Sequence, residues 1–325
     1  MSGAGSADMD MDMDMDMDMS SGGGVFIGGG GPDRPVGVSP ALATVPDQYN
    51  VMEDWFHGYK WPPADFMSQW TNASPTTFPP AYWDADLFAI TLLGEFVLVK
   101  NTSGQPAWNQ FNAQLATLLP TSAAHIKAEL DELVELIEYR PGVLSEALAQ
   151  LTNPWRWFRA ILMCNSKSAP ATHLLVETAA YIGQYQVMWY KRHFQRPRPS
   201  QFSPALLPPI EVPGHASFPS GHATQSMLIA LCLEQVMPAA ASTPFSVNAP
   251  DNAPPPYPGI SPLQQMAARI ARNREVLGLH YPSDSKAGRL LAIETYNILM
   301  QCPSISDPAN GVIARAKKEW LPPNY

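Results

Sequence analysis

The chain is poor in cysteine, with Cys164, Cys232 and Cys302 as its whole complement in 325 residues. An odd number of scattered thiols without metal-ligand spacing excludes a disulfide framework and a zinc site. It points to reduced core thiols in a cytoplasmic setting. Long apolar runs are missing too. The best candidates, residues 88–99 and 227–233, are broken by Glu95 or fall short of the roughly 18 to 20 residues that a bilayer demands. No transmembrane segment is therefore expected, and the protein reads as soluble. Positive charge is scarce: 20 Lys and Arg against 29 Asp and Glu give a net charge of −9, which excludes a basic face for nucleic acid. Six of those aspartates lie in the Asp-Met repeat from Asp8 to Met19, so the rest of the chain is only mildly acidic. The alternating pattern of strands is rare.

What the sequence does hold is helical periodicity on an apolar fraction of 46%, ample for a core. Helices are expected at residues 84–100, 107–119, 123–139, 155–164, 172–193, 222–236, 263–277 and 283–301, which makes an all-α bundle. The Asp-Met and Gly-rich residues 1–31 carry no core-forming pattern and no basic leader, and read as a disordered tail. Residues 32–82 form a Pro-rich extension expected to pack on the core. Residues 83–325 form the catalytic domain, with a Pro-rich insert at 238–262. That insert and Pro204 to Pro213 connect motif-bearing helices, and both are candidates for a lid beside the site.

Four short segments carry the chemistry: Lys191 with Arg198-Pro199, then Phe218-Pro-Ser-Gly-His222, then Arg274, then His280 with Asp284. A tetrahedral oxyanion such as phosphate bears charge on several oxygens, and its transfer state must be surrounded by positive donors. Arg198 and Arg274 offer planar forks, and Lys191 adds a compact charge. Ser220 and Gly221 stand where an apolar helical run begins, so their backbone N–H groups are expected to point at the anion. His280 is assigned as nucleophile and His222 as the acid on the leaving oxygen. Asp284, four residues after His280, is expected to hold the ring N–H and also to cap the helix that starts near Ser283. His215, Arg196 and Trp189 are candidate supporting residues around the pocket, Trp189 as a wall beside Lys191. His57, His125 and His173 read as ordinary histidines.

These segments resemble the superfamily that joins type 2 phosphatidic acid phosphatases, soluble bacterial acid phosphatases and vanadium-dependent haloperoxidases. The resemblance spans roughly residues 85–300. Its pattern is Lys-x6-Arg-Pro, Pro-Ser-Gly-His and Ser-Arg-x5-His-x3-Asp, matched by Lys191 to Pro199, Pro219 to His222 and Asn273 to Asp284. Asn273 departs from it, standing where serine is usual, a position not expected to touch the oxyanion. The resemblance implies a metal-independent phosphohydrolase that acts on phosphomonoesters through a phosphohistidine and needs no cofactor. Arg196-x-Arg198-Pro and the run from His280 to Arg289 favour this branch. The alternative is a vanadium-dependent haloperoxidase that oxidises halide with hydrogen peroxide. Vanadate would then be its cofactor, with His280 as the ligand, and His215 favours that branch. A biosynthetic enzyme that processes a prenyl diphosphate is a further alternative, for which the sequence offers no acidic metal-binding motif. Oligomeric state is not readable.

Overall fold

Helix start signals are frequent, and the chain uses them. A computed structural model describes residue 78 and residues 83–152, 156–237 and 261–321. The expectations for the Asp-Met tail, for nearly all of the Pro-rich extension and for residues 238–260 of the insert lie outside the described residues. Asp84 caps α1 (Ala85–Leu98) by accepting from the N–H groups of Asp86 and Leu87. A short α2 (Asn112–Ala116) follows. Ser122 caps α3 (Ala123–Leu136), which ends in a 3₁₀ turn, Ile137–Tyr139, and runs directly into α4 (Arg140–Thr152). After α5 (Arg156–Leu162) comes the longest element, α6 (Pro170–Phe194), with Pro170 in its first turn.

The remaining helices carry or brace the motifs: α7 (Pro199–Phe202), α8 (Gly221–Glu234), α9 (Pro262–Val276), α10 (Pro282–Leu299), α11 (Pro303–Ser306) and α12 (Val312–Glu319). Among the described residues there is no strand, only one isolated bridge between Lys100 and Pro106, so the fold is all-α as the periodicity implies. No helix among them is long and apolar enough to cross a membrane.

The central element is α8. It is buried on nearly every face, from Gly221 to Ala230 and again at Cys232 and Leu233, and it packs on α6, α9 and α10. Leu228, Ile229 and Leu233 share one core with Leu174, Leu175 and Ile182 of α6, Ile270 of α9 and Ala292 and Ile298 of α10. The outer helices α1 and α12 lie on α6, while α3 and α4 lie on α9. Cys232 and Cys302 are buried free thiols and Cys164 is partly buried, and burial pushes the Cys302 thiol up to about 12.

Three features differ from the sequence reading. The helix expected over 107–119 shrinks to Asn112–Ala116, because the buried Tyr190 hydroxyl donates to the Trp108 carbonyl and accepts from the Phe111 N–H, holding that segment outside a helix. Conversely, α4 and α12 carry no expectation from the periodicity. Pro141 does not prevent α4, because proline is tolerated in a first turn, and the helix begins at Arg140. Finally, Pro204 to Pro213 is tied down rather than poised as a lid. The Arg140 guanidinium donates to the carbonyls of Leu206 at 2.7 Å, Leu207 at 2.8 Å and Val276 at 2.9 Å, while Ile210 and Val212 pack beside Leu277 and Leu279.

Candidate active site

Two helix ends and two helix starts converge. At the end of α6, Gln195 takes a left-handed conformation (φ 51°), and the chain turns to present Arg196 and Arg198. At the end of α9, Gly278 (φ 76°) closes a Schellman motif: its N–H reaches the Glu275 carbonyl at 2.8 Å, and the Leu279 N–H reaches the Arg274 carbonyl at 3.0 Å. That turn folds Leu279 and His280 back beside Arg274.

Hydrogen-bond geometry fixes the tautomer of His280. Its Nδ1 lies 3.1 Å from Asp284 Oδ2, and its Nε2 lies 3.1 Å from Arg198 Nη1. Arginine only donates, so Nε2 must present a lone pair and Nδ1 must carry the hydrogen. Burial alone would raise the Asp284 carboxyl. The hydrogen bond from His280, the charge of Arg196 and the hydroxyl of Ser217 outweigh it and hold the group well below the usual carboxylate range. Asp284 also accepts from the Tyr281 N–H at 3.0 Å, so it orients His280 and caps α10 at once.

Arg196 is buried behind this pair. It donates to Asp284 Oδ1 at 2.6 Å, to Ser283 Oγ at 2.7 Å and to Glu129 Oε2 of α3 at 2.8 Å, and its guanidinium lies 3.6 Å over the Tyr281 ring. Arg198 further donates to the carbonyls of His215 and Leu279, each at 3.0 Å, and approaches His215 Nδ1 at 3.1 Å. Lys191 donates to the carbonyls of Ala216 at 2.6 Å and Ser217 at 3.1 Å. His222 and Arg274 meet at α4: His222 Nε2 is 3.1 Å from the Gln150 carbonyl, and Arg274 donates to the Ala147 carbonyl and reaches Gln150 Oε1 at 3.4 Å. Lys191, Arg198, Ser220, His222, Arg274, His280 and Asp284 are all buried.

The geometry revises two sequence expectations. The Ser220 backbone N–H donates to the Asp284 carbonyl at 3.0 Å, and its Oγ accepts from the Ala223 N–H, so Ser220 joins α8 to α10 as a cap instead of aiming that N–H at an anion. Gly221 opens α8, and its N–H has no acceptor among the described residues, which leaves it suited to an oxyanion. Trp189 is no wall. Two residues from Lys191 on a helix places it about 200° around the axis, and it is 42% exposed and meets Trp108 edge to face.

The residues that sequence reasoning missed are Ser217, Glu129, Ala147 and Gln150. Ser217 stands inside the run from His215 to His222 and was open to notice. The others come from α3 and α4, where no motif marks them. Among the described residues, no group of three or more His, Cys, Asp or Glu has the arrangement of a metal site.

The fold and the site now meet the comparisons. The family model of the PAP2 superfamily matches residues 169–306, from the cap of α6 through α11, and a relative is matched across 73% of its own length. The chain belongs to the PAP2 superfamily and is a phosphatase-type enzyme. That relative is a decaprenylphosphoryl-5-phosphoribose phosphatase of Mycolicibacterium smegmatis, 30% identical over 154 residues, or 46% of this chain.

Proposed function

We propose that the protein is a metal-independent phosphomonoesterase that works through a phosphohistidine. The observation that carries this reading is His280, with Nδ1–H held by Asp284 and a lone pair on Nε2. In this mechanism the phosphoryl oxygens lie among Lys191, Arg198, Arg274 and the Gly221 N–H, which supply the positive field that such transfers need. His280 Nε2 attacks phosphorus as the ester P–O bond breaks, and His222, entering as the imidazolium with a hydrogen on each ring nitrogen, gives its Nε2 proton to the leaving oxygen and becomes a neutral imidazole. Water then attacks the phosphohistidine, and His222, now a base, takes one proton from it. The N–P bond breaks, inorganic phosphate leaves, and both rings return to their starting forms. The name of the mycobacterial relative supports a phosphate monoester on a sugar as substrate class.

A second reading is favoured by His215, a third imidazole 3.1 Å from Arg198. The same cationic donors and the His280 lone pair fit vanadate as well as phosphate, because both are tetrahedral oxyanions. Vanadate held there would supply peroxide activation for halide oxidation.

A paired assay separates the two. With chelator present, phosphate release from a chromogenic monoester should persist, orthovanadate should inhibit it, and acid-labile phosphate should be trapped on the protein. Dye bromination with orthovanadate, peroxide and bromide, without phosphate release, would reverse the assignment. His215→Ala should change hydrolysis less than twofold but impair bromination at least tenfold if the second reading holds.

A further inference from the structure

The end of α4 occupies the side of the pocket where a leaving group must sit. A carbonyl oxygen only accepts, so the 3.1 Å contact between the Gln150 carbonyl and His222 Nε2 requires a hydrogen on that nitrogen. This is the proton the acid would deliver, and the Gln150 carbonyl takes it as a leaving oxygen would. The Ala147 carbonyl accepts from Arg274 in the same way, in the place of a phosphoryl oxygen. Gln150 is completely buried.

This turn of helix is clamped. Asn273 Nδ2 donates to Gln150 Oε1 at 2.9 Å and to Glu146 Oε1 at 3.0 Å, and Gln150 Nε2 donates to Glu146 Oε1 at 2.9 Å. Arg269 donates to the same carboxylate, at 2.8 Å through Nε. Asn273 is the residue that departs from the superfamily pattern, and a serine side chain is too short to span to both partners. Residues 140–152 also lie outside the family match at 169–306, so this wall comes from a segment beyond the shared motifs.

We infer that the last turn of α4 is the leaving-group wall of the site, and that Gln150, held by Asn273, determines which leaving groups fit. The inference rests on the proposed roles of His222 and Arg274. Compact alcohols reach His222 with a small displacement of the turn. Bulky ones require the clamp to open. Because a closed wall engages two groups that the anion needs, apparent affinity is reduced by the fraction of molecules that are open.

The test compares Gln150→Ala and Asn273→Ala with the wild type on phenyl phosphate and 2-naphthyl phosphate, whose leaving groups are similar in acidity and different in size. The ratio of kcat/KM, naphthyl over phenyl, should rise at least fivefold in each variant. An unchanged ratio, or one that moves toward the phenyl ester, overturns the inference whatever the total activity. If Asn273→Ala does not fold, Gln150→Ala decides, since alanine at that helical position keeps the turn. If the wild type hydrolyses neither ester, the proposed activity falls and calorimetry with inorganic phosphate decides. Binding to Asn273→Ala at least threefold tighter than to wild type supports the wall, and equal or weaker binding overturns it.

Discussion

Glu129, Arg196, Asp284 and His280 form an unbroken line of charge-assisted contacts from α3 to the Nδ1–H of His280. Removing one partner of a buried pair strands the other, so Arg196→Ala should cost about 3–5 kcal/mol in denaturant unfolding. The pH dependence follows from the depressed Asp284 carboxyl. Its stabilisation is fully present above the unfolded value near 3.9, and it is lost as pH falls toward the lower folded value. In Arg196→Ala the folded value rises toward the unfolded one, so the fall of Tm between pH 5 and pH 3 should be shallower than in the wild type. His280→Ala should lower hydrolysis at least a thousandfold while the helical fold is kept, measured by phosphate release and circular dichroism. At this scale the spacing of His280 and Asp284 made their pairing legible. The service of Arg196 was not, because a charge just before Pro197 reads equally as a surface residue, and its partner Glu129 lies 67 positions away.

The crossing of α8 and α10 depends on a single glycine. A Cβ on Gly288 would sit 2.7 Å from the Ser220 carbonyl and 2.8 Å from Ala223 Cβ, and neither can swing away as a long side chain would. Gly288→Ala should therefore destabilise the fold by roughly 1–3 kcal/mol and displace the start of α8, so kcat falls several-fold more than the loss of folded protein explains. Circular dichroism alongside turnover checks this. Apart from the short α11 and α12, the helices that pack on the common core were readable within a few residues, because burial imposes a period on their apolar positions. By contrast, α4 was missed although Val143, Leu144, Ala147, Leu148 and Leu151 recur at helical spacing, and its polar contacts, Glu146, Gln150 and backbone carbonyls against Arg269, Asn273 and Arg274, carry no sequence signature.

For the molecule as a whole, charge opposes function: a chain of net −9 must admit an anion. Removing the six aspartates of residues 8–18 changes −9 to −3. That deletion should raise kcat/KM for a dianionic ester about twofold at 10 mM salt, with the difference vanishing near 0.3 M, where the Debye length is only several ångströms. The all-α architecture was legible at this scale because strand alternation is rare in the chain and helical periodicity recurs. How the cationic pocket is closed was not, since that depends on contacts between segments more than a hundred residues apart. The fixed tautomer of His280 has one more consequence. Among seven imidazoles, the neutral ring of His280 should give a pyridine-like nitrogen-15 resonance from Nε2, paired with a protonated Nδ1. A single spectral line would then report whether the pocket is vacant, occupied by phosphate or covalently phosphorylated, independently of any turnover.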